Sequence, residues 1–256
     1  ESSVSNINGK KGILSYRGYS IEELAQKSTF EETSYLLLFG ELPTNDQLQK
    51  FTSKVTQYRD LPEELLLILK TLPKHTRPMD VLQMAVSSLG TFYDLEVSPE
   101  KVKGNKYDDE YFLNTSAALI GALGSIVAAW HRIRNGDEPI SSKPDCTYAE
   151  NFLHILGAEK ITPLMTRIMD ATLVLHGEHT INASTFTAMV TSSTLANASQ
   201  VVASAIGSLS GPLHGGANEK VIAMLQKIES KEEIRPWLDE TLKAKNVVWG
   251  MGHREY

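Results

Sequence analysis

The sequence contains a single cysteine, Cys146, which excludes an intramolecular disulfide and fits a reducing compartment; the cytoplasm is the expected location. It has no uninterrupted apolar run of about 18 residues and no charged leader followed by an apolar stretch, so neither a membrane span nor a signal peptide is indicated. Cationic excess is missing too. Lys and Arg number 25 against 31 Asp and Glu, a net charge of −6, and the basic residues are dispersed, which argues against a nucleic-acid partner. No segment alternates polar and apolar residues with period two, so extended sheets are not expected. There is no phosphate loop, no Gly-x-Gly-x-x-Gly after a strand and no Gly-x-Ser-x-Gly elbow. No cluster of cysteines or acids completes a metal site, and no bound cofactor is expected.

What is present is helical periodicity. Ser20-Ile21-Glu22-Glu23 and Thr29-Phe30-Glu31-Glu32 read as capping boxes, in which a hydroxyl and a carboxylate satisfy helix-end N–H groups reciprocally. Thr44 caps a segment with Leu48, Phe51, Val55 and Tyr58 at spacings of three and four. Pro62 and Pro78 open two more helices, and residues 96–109 read as a loop. From Tyr111 to Arg134 runs the longest segment, rich in Ala, Gly and Ser; small residues on successive turns predict a central helix approached closely on several sides. Further helices are expected over Tyr148–Leu156, Pro163–Leu175 and Ala183–Leu209, the last with a break near Asn197, and over two more segments around Val221 and Trp237, with Pro236 in a first turn. The fold class is all-α, with about a dozen helices and residues 1–19 as an irregular arm.

Four of the seven histidines fall in three glycine-containing motifs. His214 lies in Ser210-Gly211-Pro212-Leu213-His214-Gly215-Gly216-Ala217-Asn218-Glu219, ahead of a helix whose first N–H groups favour an anion; the alternative reading is that the glycines serve only the bend between two helices. His176 and His179 flank Gly177 and Glu178 ahead of Ile181-Asn182-Ala183-Ser184. Their spacing fails the zinc-protease order, which leaves a carboxylate-binding imidazole or a helix-junction hydrogen bonder. His253 ends Val247-Val248-Trp249-Gly250-Met251-Gly252-His253, before Arg254, which suits either an anion clamp or a surface ion pair. Imidazoles delivered on flexible backbone, without a cysteine nucleophile, suit hydrogen-bond and proton-transfer catalysis at a carbonyl.

Together these motifs resemble those of the citrate synthases, in the shorter form shared with 2-methylcitrate synthases, and the resemblance spans essentially the whole chain. Ile7-Asn8-Gly9 through Tyr16-Arg17-Gly18-Tyr19-Ser20 to Ala25 is similar to the family's N-terminal signature, which Thr29 to Pro43 continues. The resemblance implies an all-α fold and condensation of acetyl-CoA, the co-substrate, with oxaloacetate. It implies His214 as the donor to the thioester carbonyl and His253 as the donor to the oxaloacetate carbonyl. His179 is implied as an oxaloacetate ligand assisted by Asn182, and the backbone of Val247, Val248, Gly250, Met251 and Gly252 as the loop at the adenine end of CoA. It also implies a homodimer. Residues 1–215 correspond to the large dimerisation domain and 216–256 to the start of a smaller one, with residues 111–134 and 183–209 as candidates for tight packing between subunits.

One departure stands out. Family members carry an aspartate base and carboxylate-binding arginines beyond the segment matching His253, whereas this sequence stops at Tyr256. The expectation is that the 256-residue form alone does not turn over. Two alternatives accompany it: a 2-methylcitrate synthase using propionyl-CoA, and a non-catalytic homo-oligomeric assembly unit.

Overall fold

Hydroxyl caps set the rhythm of the N-terminal half. In the computed structural model, which describes residues 2–103 and 106–252, the Thr29 hydroxyl accepts from the Glu32 amide and the Glu32 carboxylate accepts from the Thr29 amide, starting α2 (Phe30–Phe39). Thr44 and Gln47 repeat the exchange at α3 (Asn45–Gln57). Only half of the box forms at α1 (Ile21–Lys27). Ser20 accepts from the Glu23 amide, but the Glu23 carboxylate pairs with Lys27 instead of reaching back.

The other helices are α4 (Glu63–Thr71), α5 (Pro78–Ser88), α6 (Asp109–Asn135), α7 (Tyr148–Ile155), α8 (Pro163–Leu175), α9 (Ala183–Ser192), α10 (Ala198–Leu209), α11 (Gly216–Leu225) and α12 (Lys231–Lys243). Twelve α-helices among the described residues agree with the expected all-α class. The break expected near Asn197 separates α9 from α10, and the Asn197 side chain caps α10 by accepting from the Ser199 amide.

Three expectations need correction. The N-terminal arm is ordered as a small antiparallel sheet of β1 (Ser5–Asn8), β2 (Ile13–Tyr16) and β3 (Tyr19–Ser20). Strands this short are below the length at which alternation is visible. Within the expected loop 96–109, β4 (Val102–Lys103) pairs with β5 (Lys106–Tyr107). Pro236 lies inside α12 rather than in its first turn, because the helix starts at Lys231; its missing N–H falls where the helix would bond the Glu232 carbonyl.

Helix α6 is the axis of the main core. Buried residues occur all round it, from Leu113 to Ile133, and it packs on α3, α4, α5 and α7. Its small residues are used inside the subunit. A Cβ on Gly121 would lie 2.5 Å from the Val55 carbonyl oxygen, and one on Gly124 would lie 2.7 Å from the Tyr148 hydroxyl. Although α6 is long and apolar enough to cross a membrane, its packing identifies it as a core helix.

Two smaller clusters adjoin that core. Phe51, Val55, Leu113, Ala117 and Tyr148 form one, beside a buried ion pair in which Arg59 Nη2 lies 3.9 Å from Glu31 Oε1. The Glu31 carboxylate also accepts from the Tyr148 amide at 2.7 Å, and Arg59 donates to the Cys146 carbonyl at 2.9 Å. Burial raises the Glu31 carboxyl above its ordinary range, and burial pushes the Tyr148 phenol up to about 12. Tyr16, Ile21, Leu24, Leu36 and Val174 form the other, joining the sheet to α1, α2 and α8. By contrast α9, α11 and α12 contain no buried residue.

Candidate active site

The segment between α8 and α9, residues 176–182, carries the first histidine motif. His176 caps α8 and turns back on it, its amide 3.2 Å and its Nδ1 2.7 Å from the Thr172 carbonyl oxygen. His176 is therefore engaged with its own helix. Among the described residues no group of three His, Cys, Asp or Glu side chains is placed to hold a metal ion.

Past Gly177 the chain makes a tight turn. Thr180 has φ +59°, a left-handed conformation that a β-branched residue adopts only under constraint. The Glu178 carboxylate accepts from the Thr180 amide at 2.8 Å, and the Asn182 amide donates to the Thr180 carbonyl at 3.1 Å. His179 sits half-buried at the top of this turn. Asn182 then caps α9, its Oδ1 accepting from the Thr185 amide at 2.9 Å. This leaves the Asn182 carboxamide NH₂ as the part of that side chain suited to donate to a ligand.

The second motif closes α10 onto α11. The His214 amide donates to the Gly211 carbonyl at 3.0 Å, and the Gly215 amide donates to the Leu209 carbonyl at 3.1 Å. Glycine is needed at 215 for close approach: φ is −81°, but a Cβ there would run into the Leu209 carbonyl oxygen. The turn holds His214 half-buried just ahead of the first residues of α11, while Leu213 beside it is fully exposed.

A side-chain hydrogen bond joins the two motifs. Ser184 Oγ, in the first turn of α9, lies 2.6 Å from His214 Nε2. Sequence reading did not single out Ser184. It stands inside the His179 motif, but nothing in a serine among Ala, Thr and Asn marks it as the partner of a histidine thirty positions on.

The third motif runs beside α11. Gly250 and Gly252 have φ +89° and +75°, so both glycines are required by the backbone, and the Met251 amide closes a turn onto the Val248 carbonyl at 3.2 Å. Val247, Gly250, Met251 and Gly252 are exposed and Val248 is half-buried. Lys220 of α11 stands 4.2 Å over the Trp249 ring, and a groove of about 330 Å³ lined by Lys220, Lys227, Trp237 and Trp249 adjoins the turn. His253, expected to be the second catalytic imidazole, and Arg254 lie outside the described residues.

Comparison with known proteins gives concordant matches. The family described as "Citrate synthase, C-terminal domain" matches residues 1–256. The chain is 43% identical over 256 residues to the citrate synthase of Acidithiobacillus ferridurans, covering all of this chain and 66% of that protein. It is 37% identical over 257 residues to the 2-methylcitrate synthase of Shewanella oneidensis, again covering all of this chain and 66% of the other. The crystal structure of citrate synthase from Pyrobaculum aerophilum superposes with a TM-score of 0.88 at 36% identity, covering 100% of this chain and 64% of that one. The chain thus spans just under two thirds of the length of these relatives.

Proposed function

The chain belongs to the citrate synthase family, and on that premise we propose that the full-length protein condenses acetyl-CoA with oxaloacetate and hydrolyses the resulting thioester, yielding citrate and CoA. The observation that carries the reading is the Ser184–His214 hydrogen bond, which ties two of the family's motifs into one site. A hydroxyl that donates to Nε2 leaves the imidazole proton on Nδ1. In that tautomer His214 donates to the thioester carbonyl as the methyl group loses a proton and the oxygen gains charge, the moment at which a fixed donor lowers the barrier.

His253 takes the matching role on oxaloacetate, donating to its keto oxygen as the new carbon–carbon bond turns it into an alkoxide. His179, on its constrained turn, and the NH₂ of Asn182 bind oxaloacetate. The exposed backbone of Val247, Val248, Gly250, Met251 and Gly252 offers N–H and C=O groups to the adenine end of CoA. The family resemblance divides the chain near Gly216 into a large domain and the start of a small one. Closure of the small domain on the large one is a means of excluding water until condensation is complete.

A second reading, propionyl-CoA as the acyl donor, is favoured by the relative from Shewanella oneidensis. One methylene in an apolar pocket is worth about 1–3 kcal/mol, or roughly 10- to 200-fold in specificity. Measured kcat/KM values for acetyl-CoA and propionyl-CoA with oxaloacetate are expected to favour acetyl-CoA by a factor in that range. A reversed ratio favours the second reading, and consumption of neither thioester rejects both.

A homodimer is part of the proposal. Phe186, Met189 and Val190 of α9 are 61%, 52% and 55% exposed, an apolar face that a second copy would cover. Sedimentation of the full-length protein at micromolar concentration is expected to give a dimer, and Phe186→Glu to shift it toward monomer. A monomeric wild type would remove this part of the reading. The lone cysteine, Cys146, supports placing the protein in a reducing compartment, the cytoplasm.

A further inference from the structure

Tyr16 is fully buried, yet its hydroxyl is surrounded by main-chain groups from the far side of the sequence. It accepts from the Glu178 amide at 3.2 Å. Three carbonyl oxygens lie within reach of its own proton: Glu178 at 3.2 Å, Val174 at 3.3 Å and Leu175 at 3.4 Å. The ring packs with Ile21, Leu24, Leu36 and Val174. The sheet fixes its direction, since Tyr16 pairs with Ser5 on one side and Tyr19 on the other.

These contacts fall where the chain most needs them. The helix ladder gives out after the Gly177 amide, which donates to the Val174 carbonyl, and the segment carrying His179 must leave α8, pass Leu37 and enter the left-handed turn at Thr180. The Tyr16 hydroxyl accepts from the amide of Glu178, the residue before His179, and its own proton faces the carbonyls of Val174, Leu175 and Glu178. The Glu178 carboxylate grips the amide of Thr180, the residue after His179. His179 is therefore bracketed by two clamps, beside a left-handed φ at Thr180 that a β-branched residue keeps only where its surroundings hold it.

We propose that Tyr16 and Glu178 are positioning residues that hold His179 for the small dicarboxylate it binds, so that the N-terminal sheet, remote in sequence from the histidine motifs, sets affinity for oxaloacetate. The inference rests on the function proposed above. Neither residue touches the substrate; each acts through the main chain beside His179.

The test uses Tyr16→Phe, which keeps the buried ring, Glu178→Ala, which removes the clamp on Thr180, and Glu178→Gln, which restores a neutral acceptor. In the full-length enzyme, Tyr16→Phe and Glu178→Ala are expected to raise KM for oxaloacetate about tenfold, the scale of one lost hydrogen bond. KM for acetyl-CoA should stay within about twofold, and Glu178→Gln should recover most of the loss. Amide hydrogen exchange over residues 176–182 should quicken in the first two variants without substrate. Unchanged exchange, an unchanged oxaloacetate KM, or an equal rise in both KM values overturns the proposal. If Tyr16→Phe fails to fold, the Glu178 pair alone decides it. A wild-type protein that consumes no oxaloacetate would instead overturn the function reading, while the exchange data would still decide whether the two clamps hold the turn.

Discussion

Replacing His214 with alanine in the full-length protein is expected to lower CoA release from acetyl-CoA plus oxaloacetate by about 10³, the scale for removing a donor aimed at developing oxyanion charge. The side chain is half-buried in a turn whose backbone hydrogen bonds do not involve the ring, so the fold should survive. The lost interaction strengthens as the thioester oxygen gains charge, so kcat and kcat/KM should fall together, with little change in KM for acetyl-CoA. Steady-state thiol release, with circular dichroism to check folding, measures this. Near-normal turnover in a folded variant would remove His214 from the chemistry and reduce its motif to a bend between helices.

The second large effect concerns stability. Arg59 is 1% and Glu31 5% exposed, and the guanidinium also lies 5.7 Å from the centre of the Tyr148 ring. Arg59→Met leaves Glu31 buried without its cation and the Cys146 carbonyl without its donor, a change expected to cost about 3–5 kcal/mol. The pH dependence has a definite sign. Burial raises Glu31 in the folded state, so its contribution to stability is fully present below the ordinary carboxylate range and is lost as pH rises through the raised value. Without Arg59 the charged form is more costly still. The gap between wild type and Arg59→Met should therefore be smaller near pH 4 than near pH 8, as read by urea melts. A gap independent of pH would mean that Glu31 stays protonated in both proteins. The double variant Arg59→Met with Glu31→Gln should recover part of the loss, since no buried charge is then left alone.

Much of this architecture was legible in the sequence for physical reasons. Capping residues and three-to-four spacing act over one or two helical turns, so α2, α3 and the Asn197 break between α9 and α10 could be read directly. The small residues of α6 announced close packing, because the lack of side-chain volume is itself the signal. Which helices approached was not legible: Gly121 meets α3 and Gly124 meets α7, inside one subunit. The β1–β3 sheet is not legible because strands of two to four residues carry too little pattern, and Pro236 does not mark the start of α12 because the helix already begins at Lys231, with no side-chain cap hydrogen bond at Ser230.

The same division applies to the site. Histidine with glycine at 179, 214 and 250–253 could be recognised because those residue types are unusual company. Ser184 and Tyr16 could not, since their roles exist only through contacts spanning 30 and 162 positions. Gly250 and Gly252 were read for flexibility and take left-handed φ, whereas Gly215 is required by proximity to the Leu209 carbonyl.

The most direct measurement is the stoichiometry of the full-length protein's reaction, with thiol and citrate followed together after mixing acetyl-CoA and oxaloacetate. One CoA and one citrate are expected for each oxaloacetate consumed, with no thiol release when oxaloacetate is withheld. Thiol release without oxaloacetate, or a folded full-length protein that forms no citrate, would contradict the proposed function.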